Sequence, residues 1–122
     1  MGWSLESAEG VQLGVNAWNW RPTLALLENA GVLDAETAGL LGVNGHIFVT
    51  GQEAARIADY LGTYLTGLPG EGRVRMDGAV TAEPDTHEFH RTDLGLNYAA
   101  STEWLQTFHD FCRAAPHGFT CD

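Results

Sequence analysis

Thr50-Gly51-Gln52-Glu53 is followed by Ala54, Ile57, Ala58, Leu61 and Leu65. The first four residues form a capping box. The threonine hydroxyl accepts from the amide of Glu53, and the glutamate accepts from the amide of Thr50. The five apolar residues recur at helical spacing and lie on one face. A helix with a defined first residue and a single apolar stripe is therefore expected here, ending in the loop of Gly67, Pro69, Gly70 and Gly72. Such a stripe is stable only against another apolar layer.

The N-terminal residues supply a layer with a different period. Val11, Leu13, Val15 and Ala17 alternate with Gln12, Gly14 and Asn16, and Trp3 and Leu5 begin a similar run. Period two predicts strands, and the polar break at residues 8 to 10 predicts a hairpin. Extending this pattern puts Trp18 and Trp20 on the face opposite Val15 and Ala17. A helix then starts at Pro22, whose fixed φ suits a first helical position, and stops at Gly31. A short helix follows between Asp34 as N-cap and Gly42. Asp77-Gly78 predicts a type I′ turn between Arg73–Met76 and Ala79–Ala82. The last helix begins at Ser101 and buries Trp104, Leu105, Phe108 and Cys112, with Phe111 flanking. Pro116 and Gly118 stop it, and residues 119 to 121 read as a short edge strand. The expected fold is a single α+β domain. A small antiparallel sheet, the N-terminal hairpin plus one or two later strands, packs against two long helices and one short helix.

The charge pattern limits the partners. There is no lysine; six arginines face sixteen carboxylates in 122 residues, for a net charge of −10. Phosphate binding needs a basic patch, so nucleic acid and anionic membranes are excluded as expected partners and a basic protein surface is favoured. Met1–Gly10 has no basic segment leading into an apolar one. No apolar run approaches the roughly 20 residues that span a bilayer. A cytoplasmic protein is expected. Two cysteines fit a reducing compartment; in an oxidising one they would form one small-loop disulfide.

Several side-chain groupings invite a chemical reading. His109, Cys112, His117 and Cys121 have a zinc-knuckle rhythm. Cys112, however, falls in the apolar stripe of the last helix, where a thiol behaves as a small hydrophobe. His87-Glu88-Phe89-His90 and His46 could supply polar groups to a catalytic or ligand pocket. In an extended segment, though, His87 and His90 point to opposite faces. Neither a nucleophile elbow, a P-loop nor a dinucleotide fingerprint is present. No cofactor and no metal are expected. Trp18-Asn19-Trp20-Arg21-Pro22 combines two residue types enriched at binding hot spots, with at least one tryptophan expected in the core. The expected partner-binding residues are Trp18, Trp20, Arg21, Glu83, Asp85 and Glu88.

Four segments together resemble a known type of protein. They are Trp18-x-Trp20-Arg21-Pro22, the helix end Leu26-Leu27-Glu28 to Asp34, the Asn44-Gly45 loop, and a closing Trp104-Leu105-x-x-Phe108 with Phe111-Cys112-Arg113 and Gly118-Phe119. Their order is similar to a group of small acidic uncharacterised bacterial proteins of actinobacterial type. The arginine-only, alanine- and glycine-rich composition fits that source. These motifs bear on the fold and carry no activity with them. By class alone, small acidic proteins of this kind are similar to immunity proteins of toxin systems. The charge of −10 and the missing catalytic motifs lead to the expectation of a non-catalytic protein that binds a basic partner, with an immunity or inhibitor role as the class-level analogy. The alternative is a small enzyme or ligand-binding domain using His46, His87, Glu88 and His90, or a zinc-stabilised domain through His109, Cys112, His117 and Cys121.

Overall fold

The computed structural model describes residues 2–43, 46–68, 72–76, 78–81 and 99–122. The alternating segments form β1 (Gly2–Ser7) and β2 (Gln12–Asn16), paired antiparallel with Trp3 opposite Val15 and Leu5 opposite Leu13. Trp3, Leu5 and Ser7 point inward, while Ser4 and Glu6 face out. The hairpin closes where expected: the Ser7 amide donates to the Val11 carbonyl. Val11 itself is exposed, so the alternation serves the core only at Leu13 and Val15.

Helix α1 spans Ala17–Asn29 and begins five residues before the Pro22 start expected above. Asn16 caps it, its side chain accepting from the Asn19 amide at 3.1 Å. An asparagine cap satisfies an orphan donor of the first turn and overrides the strand period at this point. Trp18 and Trp20 therefore lie about 200° apart around a helix, not on one face of a strand. Pro22 sits inside α1, buried. Helix α2 (Ala35–Leu41) runs from Asp34 as N-cap to Gly42, as expected. Strand β3 (Ile47–Val49) follows; three residues are too few to show a period. Helix α3 (Gly51–Thr66) carries the complete capping box and buries Ala54, Ile57, Ala58 and Leu61.

Strands β4 (Arg73–Arg75), β5 (Val80–Thr81) and β6 (Ala99–Ser101) make a second antiparallel sheet in the order β5-β4-β6. The Arg75 amide donates to the Ala79 carbonyl, which leaves three residues in the turn rather than the two of type I′. Strand β6 runs directly into α4 (Thr102–Arg113), capped by Ser101. Strand β7 (Phe119–Cys121) completes the first sheet in the order β2-β1-β7-β3. It was expected at an edge and lies inside the sheet, paired with both β1 and β3. Phe119 and Cys121 are buried there, and local sequence carries no signal for position within a sheet. The α+β class with a small sheet against helices is thus the observed fold. Among the described residues there are four helices, three of 12 to 16 residues and the short α2, where two long and one short were expected.

The core is held by aromatic rings. Trp20 and Phe108 have no exposed surface and meet edge-on at 5.4 Å. Trp104 stacks on Phe108 at 5.5 Å, and Phe119 bridges Phe108 and Phe111. Each buried indole also donates a hydrogen bond. Trp20 Nε1 donates to the Leu41 carbonyl (2.9 Å), Trp3 Nε1 to the Val43 carbonyl (3.3 Å) and Trp104 Nε1 to Thr23 Oγ1 (2.9 Å). The first two satisfy carbonyls at the exit of α2 that the helix itself leaves unpaired.

A second constraint is close backbone approach. A Cβ on Gly51 would lie 2.1 Å from the Pro116 carbonyl oxygen, and one on Gly118 would lie 2.2 Å from the Val49 carbonyl oxygen. These two glycines let the start of α3 touch the turn that leads into β7.

Two outcomes test this packing by urea denaturation. Trp20→Ala should cost about 3–5 kcal/mol as a large buried ring is removed, and Trp20→Phe about 1–3 kcal/mol through the carbonyl it strands. Gly51→Ala should destabilise by about 1–3 kcal/mol through overpacking, although helix propensity alone would give a gain of about 1 kcal/mol.

Candidate functional site

The acidic side chains are at the surface. Among the described residues every Asp and Glu is exposed except Glu53, which is half-buried in its capping box. Asp34 accepts from the Thr37 amide at 2.7 Å, and this bond holds its carboxyl below the usual range. Asp110 lies 2.9 Å from His109 Nδ1 and accepts from Gln106 Nε2 at 3.0 Å, contacts that lower it likewise. The arginines are largely committed. Arg113 reaches Asp59 at 3.3 Å, Arg73 donates to the Ala99 carbonyl, and Arg21 lies 5.6 Å over the Trp3 ring.

The Trp18–Pro22 segment divides its work. Trp20 is wholly buried, so its expected place in a partner contact is corrected: its indole is occupied by Leu41 and its faces by Trp104 and Phe108. Asn19 Oδ1 accepts from the Ser101 amide at 3.1 Å and ties the start of α1 to the start of α4. Trp18 is 40% exposed and Arg21 is half-buried, so both keep some surface open to solvent. Glu83, Asp85 and Glu88 lie outside the described residues.

The alternative groupings fare differently. His46 is exposed, with Nδ1 at 3.3 Å from Asp122 Oδ2; His87, Glu88 and His90 lie outside the described residues. The zinc-like quartet does not converge. Cys112 and Cys121 are buried free thiols, and His117 is exposed in the turn after α4. His109 is tucked against Gly62 of α3, near enough that a Cβ there would lie 3.3 Å from its Nε2. Among the described residues no three His, Cys, Asp or Glu side chains gather to hold a metal ion. No described helix is long and apolar enough to cross a membrane.

One depression stands out on the helical side. Residues of α1 and α2 line a groove of about 340 Å³. Buried Leu24 and Ala38 contribute to it with the small residues Ala25 and Gly39, and Val43 and Met76 line it as well. Arg21 and Glu28 line it from α1, two turns apart, or about 10 Å along the axis. Trp18 belongs to the same helix face as Arg21, Ala25 and Glu28. On the other side of α2, Glu28, Asp34, Glu53 and Arg56 border a polar depression of about 550 Å³. Of the groove residues, sequence reasoning singled out only Arg21. Two signals were available: a glycine in the interior of a short helix, and Val43 left apolar just past its end.

No protein-family model, no curated protein and no solved structure matches this chain.

Burial raises both thiols, Cys112 strongly and Cys121 to about 11, and it also raises the Tyr60 and Tyr64 phenols. All four groups are neutral near pH 7. Above the ordinary thiol range of roughly 8.5, the unfolded chain releases protons that the folded chain retains. Stability should therefore be flat with respect to these groups up to about pH 8 and fall as pH rises toward 11. Thermal melts across that range check the sign. In parallel, iodoacetamide at pH 8 should label neither thiol in the folded chain and both in urea.

Proposed function

We propose that this chain is a non-catalytic acidic binding protein whose partner is a basic protein, as an immunity or inhibitor protein is. The observation that carries the reading is the outward placement of its acids. Every described carboxylate reaches solvent, and the described carboxylates outnumber the described arginines ten to five. A surface of this kind steers a cationic partner during approach and repels anionic ones. Trp18 and Arg21, exposed or half-exposed on α1, add the residue types that anchor interfaces once contact is made. The resemblance by class to small acidic immunity proteins agrees with this reading. A cytoplasmic setting suits the two free thiols.

Capture on the immobilised chain at low salt, followed by stopped-flow measurement with the purified partner, tests the proposal. The partner should be basic, and its association rate should drop tenfold or more between about 20 and 200 mM salt, since the Debye length shortens over that range. An association rate indifferent to ionic strength contradicts it.

A further inference from the structure

We infer that the α1–α2 groove receives an amphipathic basic helix of the partner, which seats one aliphatic side chain between Ala25 and Gly39 and sets a Lys or Arg against Glu28. This rests on the acidic-binding reading above and names its site.

The groove has the form that helix docking uses: an apolar floor between two helices, open along its length, with charged residues at its ends. Gly39 is the informative residue. It lies in the interior of a seven-residue helix, where alanine would be better by about 1 kcal/mol. A Cβ built there meets nothing within 4 Å, so no neighbour in the fold requires the glycine. Gly39 is exposed and lines the groove. Opposite it, Ala25 is equally small, and Met76 supplies an adaptable thioether lip.

Charge complementarity selects the occupant. Glu28 is exposed and has no ion pair among the described residues, and Asp34 and Glu36 lie just beyond it with exposed side chains. A cation one or two turns from the aliphatic anchor would find Glu28. At the other end Arg21 lies over Trp3 and keeps its charge, so the cation of the bound helix belongs at the Glu28 end. A basic helix thus meets an acidic end and an apolar middle, and Glu28, Asp34 and Glu36 outnumber the one arginine that lines the groove, Arg21. An acidic helix would meet repulsion at Glu28.

The probes are two synthetic helical peptides of equal charge. One carries lysines on one face and leucines on the other; in the second, serine replaces leucine. Binding to the full chain is followed at low salt by amide chemical shifts. The leucine peptide should bind at least tenfold tighter than the serine peptide, with shifts concentrated at Ala25, Glu28, Gly39 and Val43. Gly39→Leu should fill the groove, preserve or raise the melting temperature, and weaken the leucine peptide at least tenfold. If both peptides bind equally and salt removes both, the groove assignment is overturned while the acidic-surface reading stands. If neither binds at low salt, both fall. Shifts confined to α4 or to the outer sheet face also overturn the groove assignment. The shift map uses the unmodified chain, so the outcome does not depend on how Gly39→Leu folds.

Discussion

Three indole N–H groups hold this structure together. An indole buries a large apolar area but brings a donor that is costly to leave unpaired. Here Trp20, Trp3 and Trp104 each find an acceptor on a different element: the end of α2, the residue just past it, and Thr23 of α1. Thr23 Oγ1 in turn donates to the Asn19 carbonyl, and Asn19 Oδ1 takes the Ser101 amide. The Trp104–Thr23–Asn19–Ser101 chain of bonds fixes where α4 begins against α1, and the separate Trp20 and Trp3 bonds fix the exit of α2 against α1 and the hairpin. The rings and the polar links specify the same arrangement, and for that reason the core admits little repacking.

Separation along the chain explains which parts were legible in advance. Both short-range caps, Thr50 with Glu53 and Asp34 with Thr37, depend on residues three apart and were read correctly. So were the apolar stripes of α3 and α4 and the first hairpin. The start of α1 was misread because Val11 to Ala17 continues a strand period while Asn16 is already a helix cap. The interior position of β7 was misread because it depends on Gly51 and Gly118, whose missing side chains permit a contact between residues far apart in sequence. Sequence periodicity carries no record of such an approach.

The candidate site was legible in part for the same reason. The motif that drew attention, Trp18 to Pro22, is mostly scaffold: Trp20 and Pro22 are buried and Asn19 is a brace. What reaches the surface is the complementary stripe of the same helix, Trp18, Arg21, Ala25 and Glu28. Helix α1 thus serves the core with one face and keeps the other, the face proposed to meet a partner, at the surface. The tryptophan contacts at the end of α2 hold the second wall of the groove in place, so fold and proposed function share one set of contacts. In the proposed function the acidic surface would supply long-range attraction and the groove short-range shape.

Charge reversal at one groove residue tests this division most directly. Glu28→Arg changes an exposed side chain with no ion pair among the described residues, so the near-ultraviolet circular dichroism of the buried tryptophans should remain native. The account predicts that this chain keeps that spectrum and loses affinity for a basic amphipathic helix by more than tenfold. A chain with the native spectrum and undiminished affinity would contradict it.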